Sequence, residues 1–253
     1  MSGMLNYHRY GTGPTFVMQH GFLGGGGYFA PQMAALGHSF DIIAPDLPGF
    51  AGSNTQDAVN SIKAHSIAQL RLLDQLGIDK FNLLGHSMGG MVALQTALDY
   101  PDRVEKLVLY ATNSSGNLPG RFETFDETAK KVESGDVNSI SKYVTATWFT
   151  DYEKAPMFPF CLSAGTGATT EAVIGALNAL KEWDVSKRLH ELDIPILVIS
   201  GDKDRSYAVD GLVQLTNTLK NAELCLLPNG AHCVHLEQAD LFNATIAKFL
   251  LTR

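Results

Sequence analysis

Ser87 is the residue with the strongest chemical claim in this sequence: it stands in Gly85-His86-Ser87-Met88-Gly89-Gly90, between an apolar run and a helical pattern. A serine at a strand-to-helix turn adopts a strained backbone that holds its hydroxyl clear of the strand end. Side chains at Gly85 or Gly89 would clash across such a turn, which accounts for the glycines. The helix that follows aims its N-terminus at the serine and favours negative charge developing there. A chance glycine-rich turn is the competing explanation, and the strand–turn–helix context argues against it. The chemistry implied is attack of the Ser87 hydroxyl on a carbonyl.

The tetrahedral intermediate of such a reaction needs two preorganised backbone N–H donors, one of them from the residue after the nucleophile, here Met88. Met18-Gln19-His20-Gly21-Phe22-Leu23-Gly24 follows the first strong strand. Gly21 lets that chain turn sharply, which makes the Phe22 N–H the second candidate. His20 reads as structural support for the loop. The four glycines at 24–27 read as a flexible surface loop, because a phosphate loop needs a Gly-Lys-Ser/Thr that does not follow.

A serine nucleophile also needs a general base, and the base needs an orienting carboxylate. His232 follows the last strand through a loop bearing Pro228, Asn229 and Gly230. His235 is its decoy, and a His232-x-x-His235 zinc pair has no further ligand set beside it. His38, His65 and His190 sit in polar surroundings and read as surface residues. Gly201-Asp202-Lys203-Asp204-Arg205 follows a strand directly. Asp204 is the preferred acid, being further beyond the strand end; Asp202 is the alternative, or a residue that stabilises the turn. Tyr110-Ala111-Thr112-Asn113, at the end of an earlier strand, offers no carboxylate.

The elements that must carry these groups can be read from periodicity. Apolar runs at 15–18, 40–44, 81–84, 106–110, 196–200 and 222–227 predict strands. Ile67, Leu70, Leu73 and Leu76 predict one face of a helix over 62–76 that Gly77 ends. A second helix is expected over 90–100, stopped by Pro101. A third is expected over 239–251, with Leu241, Phe242, Ile246, Phe249 and Leu250 as its apolar stripe. Strands alternating with helices imply βαβ units and a mainly parallel sheet. From Asn113 the alternation gives way to an irregular helical stretch, rich in aromatics (Phe122, Phe125, Tyr143, Trp148, Phe149, Phe158, Phe160) and broken by Pro156 and Pro159.

Bulk properties narrow the class. A chain of 253 residues suits one α/β domain with an insertion. Hydrophobic residues at 45% and charged residues at 18% are the balance of a folded globular protein. A net charge of −7 gives no general attraction for nucleic acid or an anionic membrane. Three cysteines, Cys161, Cys225 and Cys233, are odd in number and widely spaced, which argues against a disulfide framework. Without a secretory leader pattern or a run of roughly 20 apolar residues, the expectation is a cytoplasmic protein.

Together these motifs resemble the α/β-hydrolase superfamily over nearly the whole chain. His20-Gly21, Asp46-Leu47-Pro48-Gly49, Gly85 to Gly89, Gly201 to Asp204 and Gly230 to His232 match five family motifs in order. The resemblance implies an α/β fold, a mainly parallel central sheet flanked by helices. Residues 1–112 and 186–253 would form the core, and 113–185 a helical cap. It implies a Ser87–Asp204–His232 triad, with Phe22 and Met88 as the oxyanion hole. The expected pocket is lined by Gly21, Trp148, Phe149 and Phe158. Ala51 departs from the family by replacing a glycine with another small residue.

The leading expectation is hydrolysis of a small-molecule ester or lactone through an acyl-enzyme, with no cofactor and no metal. Neither nucleic acid nor membrane is an expected partner, and a homodimer is left open. One alternative is a carbon–carbon bond hydrolase acting on a ring-cleavage keto acid. Its two carboxylates would need cations, for which the cap offers Arg121, Lys130, Lys131, Lys142 and Lys154, all of which read as solvated. Such enzymes also usually carry aromatics just after the histidine, where this chain reads Cys233-Val234-His235-Leu236-Glu237. Another alternative is a ligand receptor that keeps the triad but works by binding, and a haloperoxidase-like side reaction would use the same site. Dehalogenases and epoxide hydrolases of this fold need an aspartate nucleophile, which Ser87 excludes.

Overall fold

The expected apolar runs all appear as strands. They are β2 (Thr15–Gln19), β3 (Asp41–Pro45), β4 (Phe81–His86), β5 (Val104–Tyr110), β6 (Ile196–Gly201) and β7 (Ala222–Leu227), preceded by an unexpected β1 (Tyr7–Gly11). The computed structural model describes residues 3–116, 123–135 and 137–252. Arg121 and Phe122, singled out above, lie outside these residues. The strands form one sheet in the order β1-β3-β2-β4-β5-β6-β7, with β1 antiparallel to β3 and the other pairings parallel. At the centre, β4 and β6 are buried along their whole length and β2 almost so, as parallel strands covered on both faces must be. No apolar run announces β1, because its middle residues His8, Arg9 and Tyr10 are exposed. Arg9 instead fastens it to Asp41 of β3 through two hydrogen bonds of 2.9 and 2.7 Å.

The helices are α1 (Ala30–Leu36), α2 (Ile62–Gln75), α3 (Met88–Asp99), α4 (Phe125–Ser134), α5 (Val137–Ala146), α6 (Phe158–Ala164), α7 (Thr170–Glu182), α8 (Val209–Thr218), α9 (Val234–Glu237) and α10 (Ala239–Leu251). None among the described residues is long and apolar enough to cross a membrane. Ser61 caps α2 by accepting from the Ala64 N–H, and Gly77 at φ 71° terminates it. Helix α3 begins two residues earlier than its composition suggests, with Ser87 itself at the N-cap. Between β5 and β6 the chain inserts α4 to α7, and the two ends of this insertion meet at a Ser115–Asp184 bridge. Trp183 Nε1 donates to Gln95 Oε1 at 2.9 Å, tying the insertion to α3.

Three expectations are corrected. Residues 24–26 are buried, not a flexible surface loop: a Cβ on Gly25 would lie 2.1 Å from the Ala164 carbonyl oxygen, and the Gly26 N–H donates to Asp46 at 2.7 Å. Leu241 is 49% exposed, because it sits about 100° around α10 from the buried Phe242. His65 is wholly buried, since the inner face of α2 combines Ile62, Leu70 and Leu73 with His65, Ser66 and Gln69. Polar neighbours in the sequence therefore gave no guide to its burial.

Neither ring nitrogen of His65 has a hydrogen-bond partner among the described residues. Burial, and then the nearby His20, lower its pKa from 6.5 to about 3. Burial and then His232 likewise lower His235 to about 3. The unfolded chain takes up these protons below its ordinary histidine pKa while the folded protein does not. Stability should therefore fall as pH drops from about 6.5 toward 3, by up to about 1.4 kcal/mol per pH unit for each such histidine. Urea midpoints measured between pH 7.5 and 4.5 should decline steadily. His65→Leu should show a shallower decline and, at pH 5, a midpoint at or above that of wild type; an unchanged slope would contradict this account.

Candidate active site

Ser87 stands beyond the C-terminal end of β4 with φ 55° and ψ −120°. Its N–H donates to the Tyr110 carbonyl at 2.9 Å, and its own carbonyl accepts from Thr112 Oγ1 at 2.7 Å. Both backbone groups of the strained residue are thus held from the end of β5. A Cβ on Gly85 would lie 2.1 Å from the Gly89 carbonyl oxygen, and one on Gly89 would lie 2.4 Å from those of Gln19 and His20. The loop after β2 runs directly against the serine, since a Cβ on Gly21 would come within 2.9 Å of the Ser87 Cβ. Phe22 and Met88 are buried, yet among the described residues neither backbone N–H has a protein acceptor. Two buried, unengaged donors next to a serine are suited to a developing oxyanion.

Beyond β6, Asp204 meets His232: its Oδ2 accepts from His232 Nδ1 at 2.9 Å, and both side chains are almost wholly buried. The same oxygen accepts from Ser200 Oγ at 3.2 Å, while Oδ1 accepts from the N–H groups of Ser206 and Tyr207 at 2.7 and 3.2 Å. An ionised carboxylate only accepts, so Nδ1 is the donor in this contact and, in the neutral ring, Nε2 carries the lone pair. Asp202 is exposed and braces the turn, accepting from the Gly230 N–H at 3.4 Å. The structure brings Asp204, not Asp202, to the histidine.

Aromatic rings flank that imidazole. Tyr207 stacks on it at 5.7 Å between centroids and 12° between planes, and Trp148 of the insertion lies at 5.9 Å. Sequence reasoning missed Tyr207; the available signal was an aromatic three residues beyond the acid. Phe149 and Phe158 are buried and pack edge to face at 6.2 Å. Cys161 and Cys233, far apart in sequence, are buried free thiols 3.9 Å apart. Lys130, Lys131, Lys142 and Lys154 are exposed, with Lys131 paired to Glu123 and Lys142 to Glu153.

Under the site runs a buried chain of hydrogen bonds whose direction is fixed. His86 Nε2 lies 3.0 Å from the His232 carbonyl and must donate to it. Its Nδ1 is then an acceptor and takes the Tyr28 hydroxyl proton at 2.8 Å. The Tyr28 oxygen accepts from the Gly21 N–H at 2.9 Å. One chain therefore links the loop after β2, the residue before Ser87 and the backbone of His232. The Tyr110 hydroxyl gives the same carbonyl a second bond, at 2.7 Å, and its oxygen faces His235 Nδ1 at 2.9 Å. Burial, then His232 and His235, hold the His86 pKa well below 6.5, so it stays neutral as this polarity demands. His20 supports the loop as expected, with Nε2 accepting from the Leu47 N–H and Nδ1 donating to the Gly21 carbonyl, both at 2.8 Å. Asp46 was read only as part of a motif. It is a brace, with Oδ1 on the Gly26 N–H and Oδ2 on Gly52 N–H and Asn6 Nδ2.

An elbow serine at the C-terminal edge of a mainly parallel sheet, with a buried acid–histidine pair on the following loops, defines a class. The family model for the alpha/beta hydrolase fold matches residues 14–239, and the chain belongs to that family. The chain is 28% identical over 244 residues to a putative carbamate hydrolase RutD of Agrobacterium fabrum, covering 94% of this chain and 93% of that one. It is 29% identical over 260 residues to a 2-hydroxy-6-oxo-6-phenylhexa-2,4-dienoate hydrolase of Burkholderia cepacia, covering 95% and 88% respectively. Among solved structures, an enol-lactonase of Burkholderia xenovorans superposes with a TM-score of 0.88 at 25% identity, covering 98% of this chain and 96% of that one.

Tyr28 offers a test of the buried chain that does not depend on substrate. Tyr28→Phe leaves the Gly21 N–H and His86 Nδ1 buried without partners. It should lower stability by about 2–4 kcal/mol in urea unfolding, more than a surface hydroxyl would. A loss under about 0.5 kcal/mol would show that the polarity assigned here is wrong.

Proposed function

We propose that the protein is a serine hydrolase that cleaves a small carboxylic ester or lactone through an acyl-enzyme on Ser87. The observation that carries this reading is the 2.9 Å Asp204–His232 contact: with Nδ1 donating to the carboxylate, Nε2 of the neutral ring is free to serve as a base. In the reaction, Nε2 takes the Ser87 hydroxyl proton as Oγ attacks the carbonyl carbon. The oxyanion is held by the Phe22 and Met88 N–H groups. Collapse breaks the bond to the alkoxy oxygen, which leaves with the proton from Nε2. Water then gives its proton to Nε2 and attacks the acyl carbon, and Ser87 recovers the proton as the acid departs. Asp204 keeps the tautomer correct and stabilises the transient imidazolium.

Residues 113–185 act in this reading as the cap over the site. Trp148, 5.9 Å from the His232 ring, and Gly21, packed against Ser87, bound in this reading the space next to the reacting carbonyl, so an apolar acyl or alcohol group is favoured. The likeness to an enol-lactonase supports an intramolecular ester as substrate. A second reading, cleavage of a carbon–carbon bond in a dienoic keto acid, is favoured by the 29% identical relative that bears such a name. The same elbow, histidine and acid would serve either bond.

A panel of short and long p-nitrophenyl esters, lactones and ring-cleavage products should separate the two readings, with an ester or lactone turned over fastest. Ser87→Ala should remove activity on the best substrate; full retention would overturn the mechanism. Asp204→Asn should lower kcat by about 10⁴-fold through a wrong histidine tautomer, while Asp202→Asn should stay within a few-fold of wild type. The reverse order would transfer the acid role to Asp202.

A further inference from the structure

The loops that carry Asp204 and His232 are both fastened to one short stretch of the insertion, residues 147–150. Arg205, next to Asp204, donates from Nη1 to the carbonyls of Thr147 and Phe149 at 3.3 and 2.8 Å. Its Nη2 donates to the Thr150 carbonyl at 3.1 Å. Cys233, next to His232, donates its N–H to the Trp148 carbonyl at 2.9 Å. Glu237 works in both directions. Its Oε1 accepts from the Thr150 N–H and Oγ1 at 2.7 and 2.6 Å, and its Oε2 accepts from the Ala231 N–H at 2.7 Å, one residue before His232.

We propose that Glu237 is a positioning residue that sets the His232 loop and locks it to the insertion, an inference that rests on the serine-hydrolase reading of the site. Bonds to an ionised carboxylate are roughly twice as strong as neutral ones. Three donors converge on Glu237 from two parts of the chain, so the histidine loop and residues 147–150 cannot shift independently. Lifting this stretch strips Oε1 of both its donors and pulls on the carbonyls that Arg205 holds. The wall that bears Trp148 is therefore fixed to the base, and any opening of the insertion must take place elsewhere.

Glu237→Gln keeps the shape but replaces one acceptor oxygen with an N–H₂ group. In either amide orientation, one arm then places donor against donor. Thr150→Val removes only the hydroxyl bond. The test titrates Ser87 with a fluorophosphonate, then measures kcat per titrated site, KM, and the pH profile of kcat/KM for both variants and their combination. Glu237→Gln should lower kcat per titrated site about 10- to 100-fold with little change in KM, as a displaced base does, and should move the acid limb of the profile. Thr150→Val should show a smaller loss in the same direction, and the double variant should be no worse than Glu237→Gln alone. If both variants lose only titratable fraction or melting temperature, with kcat per site and acid limb unchanged, Glu237 is structural and the proposal falls. Should Glu237→Gln not fold, Thr150→Val decides by the same readouts. A wild-type Ser87 that takes no label would instead overturn the hydrolytic reading, and this inference with it.

Discussion

Holding Ser87 at φ 55° and ψ −120° costs about 1–3 kcal/mol locally, and the surrounding structure has to keep it there. The end of β5 does so from one side, through the Tyr110 carbonyl and the Thr112 hydroxyl. From the other, backbone packs against backbone so closely that Gly85 and Gly89 admit no side chain. These contacts need β2, β4 and β5 to lie side by side in register. The central sheet is what allows a serine to sit in a conformation its own chemistry disfavours.

The second demand is that buried polar groups be paired without becoming charged. His86 lies between the Tyr28 hydroxyl and the His232 carbonyl, and of its two neutral tautomers only the Nε2-protonated one fits both. Protonation of Nδ1 would take from the Tyr28 hydroxyl the acceptor its proton has here, which agrees with the direction in which burial moves the His86 pKa. His65 shows the same low-dielectric surroundings without pairing, and its neutrality is maintained by burial and, after it, by the nearby His20. One fold thus holds histidines for two purposes: one relays position between loops, and the other simply fills the inner face of α2.

How much of this could be read beforehand follows from what each residue depends on. The positions of Ser87, Asp204 and His232 beyond strand ends were legible because short-range rules govern them: each follows an apolar strand, at a turn marked by glycine. The strands β2 to β7 were legible from apolar runs, while β1, an exposed edge strand, has none to show. His65 and the glycines at 24–26 were misread because their burial is set by partners far away in sequence, such as Ala164. Arg205 and Glu237 look like ordinary surface charges in a linear reading. Their partners are carbonyls and amides at 147–150 and 231, which no composition rule pairs with them.

That long-range set explains why the histidine is so narrowly disposed. The His232 carbonyl is engaged by both His86 and Tyr110, the amide before it by Glu237, and the amide after it by Trp148. Its Nδ1 is engaged by Asp204, and its ring is flanked by Tyr207 and Trp148. Nε2 is left as the atom through which the ring can act. These restraints originate in five parts of the chain: β4, β5, the insertion, the loop after β6 and α9. In the proposed hydrolysis, a ring restrained from five directions loses little entropy when it transfers a proton, which is the physical advantage of assembling its base from the whole fold instead of from its own loop.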